Sequence, residues 1–442
     1  MQKIDKVTVI GANGTMGQNI AAIFASFGNA EVYLVSRTKQ KSILSKNKAY
    51  HSVRAESIVN KMIPVDFDEL EECVNKSELI FEACKEDWDV KIDIHTKISD
   101  VLRKADKNDA RKYICSGTSG LSITKLAELY PEKKRSNIVG MHFFNPPYNM
   151  TLCELVPTEY TDRSSFESLK EYATTILRRT VVEVKDSPAF LGNRIGFQFI
   201  NEALQYAEKY KFNGGIDYID AILGPFTGRA MSPLVTANFV GLDVHKAIVD
   251  NLYENTSDCA HDTFVLPEFV NGLVKSGKLG RKTKEGLYRT IIHDSGFKIR
   301  QVYDIEHGEY RETIKYIFPF VEEMIGDLKV GNYGKAFDVL TKNRSIEAEI
   351  CCEFLLKYIV YSLVATELVG YDIHAADDVM ATGFNWCPPL ALLEAFGGVE
   401  SFLGLCRERL RKNMIDQIDW NHLSRRIEKS NYDYRRFLRA KK

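Results

Sequence analysis

The stretch Lys6-Val7-Thr8-Val9-Ile10-Gly11-Ala12-Asn13-Gly14-Thr15-Met16-Gly17 decides the fold. Val7 to Ile10 is an unbroken apolar and β-branched run, the pattern of a strand covered on both faces. Ile20, Ile23, Phe24 and Phe27 then recur at helical spacing, so the three glycines occupy a strand-to-helix turn. Small residues there let the backbone approach a pyrophosphate, and the N–H groups at the helix start favour its negative charge. This order predicts an α/β sheet that binds a dinucleotide at the carboxyl ends of its strands. Gly11, Asn13, Gly14, Thr15, Met16 and Gly17 are the expected contacts.

The turn reads G-x-x-G-x-x-G, one residue longer than the common G-x-G-x-x-G, with Asn13 as the extra position. The next strand, residues 31–35, ends in Ser36-Arg37-Thr38 and not in an acid. A carboxylate at that tip would hydrogen-bond the ribose hydroxyls of NAD and repel a 2′-phosphate, whereas Ser36 and Arg37 offer such a phosphate a hydroxyl and a guanidinium. NADP is therefore expected beside NAD; the alternative is that Arg37 is a solvated loop charge. Further strands are expected at residues 78–83 and 112–115. Their loops, Cys84-Lys85-Glu86 and Ser116-Gly117-Thr118-Ser119-Gly120, face the same crevice if the sheet is parallel.

A second stretch carries chemistry. Met141-His142-Phe143-Phe144-Asn145-Pro146-Pro147 is followed by Glu154, twelve positions after His142 and so outside helical i,i+4 reach. The two must meet through a turn, which Asn145-Pro146-Pro147-Tyr148-Asn149 provides. Residues 137–141 read as a strand that delivers His142 to its carboxyl end. Imidazole titrates near neutral pH and a carboxylate fixes its tautomer, a pairing suited to acid/base work. An isolated His/Glu pair is more often structural, and the rest of the chain reverses that weighting.

The 442 residues suffice for two or three domains. A formal net charge of −1 argues against nucleic-acid binding, which leans on excess Lys and Arg. No apolar run approaches the roughly 18 residues of a membrane helix. The start, Met1-Gln2-Lys3-Ile4-Asp5-Lys6, lacks a signal-peptide apolar region. The nine cysteines are odd in number and scattered without metal-site spacing, as expected of reduced cytosolic thiols with no metal centre. A soluble cytoplasmic protein without membrane or nucleic-acid partners is the expectation.

After Asp186 the pattern turns helical. Ile195, Phe199, Ile200, Ala203, Leu204 and Ala207 form one apolar stripe, with Pro188 placed near the helix start. A second stripe runs through Ile350, Phe354, Leu355, Tyr358, Ile359 and Leu363. Each stripe leads to an acidic helix start (Asp217 with Asp220, then Asp377-Asp378), a Gly/Pro break and an apolar helix ending in glycine. The second block therefore reads as a diverged copy of the first. The expected domains are a dinucleotide-binding domain over 1–186, a helical domain over 187–290, linker helices over 291–345 and the second helical domain over 346–442. The basic tail, Arg425-Arg426 to Lys441-Lys442, is expected to be solvated.

Taken in order, these residues resemble the L-3-hydroxyacyl-CoA dehydrogenase family. The resemblance covers about the first 290 residues. It rests on the glycine turn with Met16-Gly17, Glu82-Ala83 with Glu86 and Lys91, Thr118-Ser119, and His142-Phe143-Phe144-Asn145-Pro146 with Glu154. Asp186-Ser187-Pro188-Ala189-Phe190-Leu191-Gly192-Asn193-Arg194, Val240-Gly241-Leu242-Asp243 and Gly280-Arg281-Lys282-Thr283 complete it. It implies an α/β Rossmann-type amino-terminal domain followed by two all-α domains like the carboxyl-terminal domain of that family. By the same resemblance His142 is the catalytic base and Glu154 its partner, while Ser119 and Asn193 hydrogen-bond the reacting oxygen. Glu86 and Lys91 lie near the nicotinamide-side ribose, and Ala83 is a further cofactor contact. The implied reaction interconverts a 3-hydroxyacyl-CoA and a 3-oxoacyl-CoA with NAD or NADP. In larger relatives a second helical domain stands in for a dimer partner, so a pseudo-dimeric monomer is expected, with a homodimer as the alternative. Asn145-Pro146-Pro147-Tyr148 and Glu154-Leu155-Val156-Pro157 also resemble the lambda-crystallin and gulonate dehydrogenase branch, which acts on free hydroxy acids. A cofactor-binding protein without turnover is the third reading.

Overall fold

The computed structural model describes residues 3–104, 112–292, 296–410 and 418–441; Met1, Gln2 and Lys442, named above, lie outside the described residues. The chain forms two compact units, Met1–Phe190 with Val369–Tyr371, and Leu191–Leu368 with Asp372–Lys442.

The first unit is built on one eight-stranded sheet. Its strands are β1 (Lys6–Ile10), β2 (Glu31–Ser36), β3 (Met62–Asp66), β4 (Leu79–Glu82), β5 (Tyr113–Ser116), β6 (Ile138–Phe143), β7 (Leu152–Val156) and β8 (Thr180–Glu183). They lie in the order β3-β2-β1-β4-β5-β6-β7-β8. From β3 to β6 all neighbours are parallel; β7 runs antiparallel to β6, and β8 follows β7 in parallel. Helices α1 (Thr15–Ser26) and α2 (Lys39–Val53) follow β1 and β2. Pro64 is tolerated because β3 is an edge strand, where a missing N–H breaks no inner ladder. The chain winds outward from β1 to β3 and then returns to β4. The strand order thus reverses between β1 and β4, the position where such sheets open a crevice.

Side-chain alternation then aims the site residues. Phe81 packs on Phe24 of α1 at 5.9 Å between ring centroids, and on Phe143 at 5.8 Å. Each such pair adds about 0.5–1.5 kcal/mol beyond its buried area. Because successive strand residues face opposite sides, Phe81 and Phe143 on the α1 side put Glu82 and His142 on the other.

The second unit is mainly helical. In helix Gly192–Lys209 the stripe Ile195, Phe199, Ile200, Ala203, Leu204 and Ala207 is wholly buried. Pro188 does not begin this helix: Ala189 and Phe190 adopt positive φ values of 58° and 52°, which hold the helix off until Gly192. The stretch 291–345, expected as linker helices, differs more. It opens on a three-stranded antiparallel sheet, β9 (Tyr288–Ile292), β10 (Lys298–Asp304) and β11 (Glu309–Glu312), and only then forms helices Pro319–Lys329 and Tyr333–Lys342. Two of its charges pack across the strands over tyrosines, Arg289 over Tyr310 at 4.0 Å and Arg300 over Tyr288 at 4.2 Å, contacts that the sheet register supplies.

The two helical blocks share one capping device. Asp220, in helix Ile216–Ile222, accepts the N–H groups of Leu234 (2.8 Å) and Val235 (3.1 Å) at the start of Pro233–Val240. Asp377, in helix Ala375–Val379, accepts Leu390 N–H (2.8 Å) at the start of Pro389–Ala395. Both capped helices begin with proline, whose missing N–H leaves no orphan there. The basic side chains Arg425, Arg426, Arg435 and Arg436 of the tail are exposed, as expected of a solvated end, while its neutral residues dock: Tyr432 donates its hydroxyl to Asp378 (2.7 Å) and Ser430 donates to Asp377.

Among the described residues no single helix is long and apolar enough to cross a membrane.

Candidate active site

The turn after β1 folds as its glycines require. Gly11 has φ +80°, and a Cβ there would stand 2.6 Å from Ala83 O. A Cβ on Gly17 would meet Gly11 O at 2.5 Å. The extra residue, Asn13, is absorbed by a tight turn in which Gly14 N–H donates to Gly11 O (3.1 Å). A Cβ on Gly14 meets only ordinary contact, 3.5 Å from Gly11 O, so its smallness leaves room on the cleft side. A cleft of about 1000 Å³ opens there. Of the expected cofactor contacts, Gly11, Asn13, Gly14, Thr15, Met16, Ser36, Arg37 and Ala83 line it; Gly17, Glu86 and Lys91 do not.

Ser36, the last residue of β2, is 1% exposed, and its Oγ has no hydrogen-bond partner among the described residues. A buried hydroxyl without a partner costs about 1–3 kcal/mol, so a ligand atom that meets it is favoured. The cleft thus offers a small-residue cradle at a helix start and an orphan hydroxyl one strand away, a fit for a dinucleotide.

On the far side of β1 lies a buried charged cluster. Glu82 accepts two hydrogen bonds from Lys91 Nζ (3.0 and 2.9 Å), one from Ser116 Oγ (2.7 Å) and one from Cys84 N–H (2.6 Å). Burial alone would raise the Glu82 carboxyl, but Lys91, with His95 and Ser116, holds it well below the usual carboxylate range. Burial likewise works against the charged form of Lys91, and Glu82 and Glu86 outweigh it, raising the ammonium above its ordinary value. Cys84, beside this carboxylate, is pushed up to about 12, first by burial and then by Glu82, and is no thiolate. Glu86 Oε1 accepts from Thr118 Oγ1 (2.5 Å) and Ser119 N–H (2.9 Å). Sequence reasoning quoted Glu82 without giving it a role and read Ser116 as loop, whereas it ends β5 and donates to Glu82. The available signal was an acid closing the otherwise apolar run Leu79-Ile80-Phe81-Glu82.

His142 and Glu154 face each other in register across the antiparallel pair β6–β7. Nδ1 of His142 is 2.7 Å from Oε2 of Glu154, and the two side chains are 5% and 0% exposed. Phe144, at 4.5 Å between ring centroids, and Phe190, at 5.7 Å, wall the imidazole. With Nδ1 engaged by the carboxylate, Nε2 is the nitrogen left for proton transfer. Ser119 follows β5 in the same unit. Asn193, buried in the first turn of helix Gly192–Lys209, belongs to the second unit. Among the described residues no group of three His, Cys, Asp or Glu side chains could hold a metal ion.

A Rossmann-type sheet with a glycine turn defines a dinucleotide-binding fold, and the same unit carries the buried His/Glu pair. The family model "3-hydroxyacyl-CoA dehydrogenase, NAD binding domain" matches residues 6–187, and "3-hydroxyacyl-CoA dehydrogenase, C-terminal domain" matches residues 190–290. A 3-hydroxybutyryl-CoA dehydrogenase of Clostridioides difficile is 33% identical over 297 residues, covering 64% of this chain and 98% of its own. The mitochondrial hydroxyacyl-coenzyme A dehydrogenase of Sus scrofa is 32% identical over 304 residues, 65% of this chain and 91% of its own. The chain belongs to the 3-hydroxyacyl-CoA dehydrogenase family. It spans about half the length of a Bacillus subtilis relative named a probable 3-hydroxyacyl-CoA dehydrogenase, 25% identical over 446 residues, 94% of this chain and 53% of that one. The crystal structure of 3-hydroxybutyryl-CoA dehydrogenase from Escherichia coli shares the fold at a TM-score of 0.69 and 18% identity, over 96% of this chain and 98% of its own.

Proposed function

We propose that this chain interconverts a 3-hydroxyacyl-CoA and a 3-oxoacyl-CoA, with His142 as the acid/base. The observation that carries the reading is the buried His142–Glu154 pair at 2.7 Å, two strands from the crevice between β1 and β4. A nicotinamide dinucleotide, when bound in the cleft, supplies the hydride acceptor or donor. As the substrate C3–H leaves as hydride, Nε2 of His142 takes the hydroxyl proton and the C–O bond becomes a carbonyl; reduction runs these transfers backward. Glu154 holds the imidazole tautomer through Nδ1 and stabilises the imidazolium that forms. Ser119, in the same unit as His142, gives a neutral hydrogen bond to the reacting oxygen; for Asn193 the same role is supported by the family resemblance alone. We place the reaction in the cytoplasm.

The finer cofactor reading is that NADP is accepted beside NAD, supported by the orphan Ser36 hydroxyl and the neighbouring Arg37. Replacing Arg37 with Ala removes a charge-assisted contact of about 1.5–3 kcal/mol, so kcat/KM for NADP falls roughly tenfold to a hundredfold while that for NAD holds. Steady-state kinetics with both cofactors check this, and a strong NAD preference in the unaltered chain contradicts it.

A pseudo-dimeric monomer is the proposed state. It is supported by Arg229 of the first helical copy, fully buried over Phe199 at 3.8 Å and also over Trp386 (4.7 Å) and Tyr358 (5.0 Å) of the second. Sedimentation velocity is expected to give a monomer; a tight dimer through the first helical domain contradicts it.

A further inference from the structure

Glu82 closes β4 beside the crevice, yet it does not line the cleft; its neighbours Ala83 and Cys84 do. It is fully enclosed. Lys91, reaching in from helix Trp88–Lys104, bonds both carboxylate oxygens, and Ser116 at the end of β5 bonds one of them. His95 Nε2 stands 3.6 Å away, and its Nδ1 is 2.7 Å from Tyr130 OH, which closes the remaining side. The chain of contacts then continues outward. Lys91 Nζ is 3.4 Å from Glu86 Oε2, and the other Glu86 oxygen holds the Thr118 hydroxyl and the Ser119 N–H. One buried carboxylate thereby ties the ends of β4 and β5, the helix behind them and the loop bearing Ser119.

Strand order tells which half of a dinucleotide this cluster meets. The β2 tip, with Ser36 and Arg37, lies on one side of the glycine turn and suits the adenosine ribose. The pyrophosphate belongs at the turn, so the other half must cross toward β4 and β5. We propose that Glu82 is a positioning residue for the nicotinamide half: it fixes Lys91, and through Lys91 and Glu86 the Thr118-Ser119 backbone, where that half is received. The inference rests on the cofactor reading given above. A buried ammonium deprived of its carboxylate has no comparable partner and must shift toward Glu86 or water, which loosens the loop.

The test titrates the full chain with NADH, NADPH and ADP by calorimetry, because ADP reports only the adenosine half. The wild type is expected to bind ADP and at least one reduced cofactor. In Glu82→Gln the affinity for the reduced cofactor falls about tenfold or more, the scale of lost charge-assisted hydrogen bonds, while ADP affinity is unchanged. Glu82→Asp, which keeps the negative charge beside Lys91, protects the fold if the amide variant is unstable; it shows the same split with a smaller loss for the reduced cofactor and unchanged ADP affinity. Equal loss for ADP and reduced cofactor marks a merely structural role and overturns the inference, as does unchanged affinity for both. A wild type that binds ADP but neither reduced cofactor overturns the cofactor reading itself.

Discussion

The variant His142→Ala binds its nicotinamide cofactor as the wild type does and turns over about a hundredfold more slowly or worse, the scale of a lost general base. The split follows from position. His142 sits on β6, two strands from β4 and so about 10 Å across the sheet at ordinary strand spacing, whereas the glycine cradle lies after β1. Truncating the imidazole leaves Gly11, Gly14 and Ser36 untouched. It empties the place between Phe144 and Phe190 and leaves Glu154 without its cation-forming partner. Cofactor titration beside steady-state kcat checks both halves, and a near wild-type kcat contradicts the assignment.

Glu154→Gln is expected to lower kcat by about 10² to 10⁴, with the fold retained. The carboxylate only accepts from Nδ1, so it permits one tautomer, with the Nε2 lone pair free for the substrate proton. An amide can donate as well, and donation to Nδ1 would place the imidazole proton on Nε2, where it blocks base catalysis. The substitution also removes the negative charge that offsets the imidazolium in a fully buried site. The change is nearly isosteric and keeps the β6–β7 register. Circular dichroism therefore matches the wild type while turnover collapses; comparable turnover by Glu154→Gln contradicts the orienting role.

Local patterns were legible in the sequence. The run Val7–Ile10, the glycines and the stripe from Ile20 to Phe27 are contiguous, so periodicity alone yields β1, the turn and α1. The His142 and Glu154 spacing likewise implies a hairpin, although their direct cross-strand register needed the structure. Glu82, Glu86 and Lys91 stood close together in the sequence, but their convergence with Ser116 of β5 on one carboxylate was hidden, because only sheet order brings β4, β5 and helix Trp88–Lys104 together. The β9–β11 sheet was obscured because the stretch is charged and carries no readable motif, while the arginines that pack over tyrosines meet them only across the strands. Within the tail, the docking of Ser430 and Tyr432 was missed because both look like surface residues until Asp377 and Asp378 are seen to receive them.

The most direct measurement of the central claim compares acetoacetyl-CoA with a free hydroxy acid as substrate of the same purified chain, with NAD(H) and NADP(H) and with His142→Ala beside it. Reduction of acetoacetyl-CoA, little turnover of the free acid and loss of activity in His142→Ala are the expected results. Turnover of the free acid in preference to the thioester, no turnover of either, or full activity without the imidazole contradicts an acyl-CoA dehydrogenase working through His142.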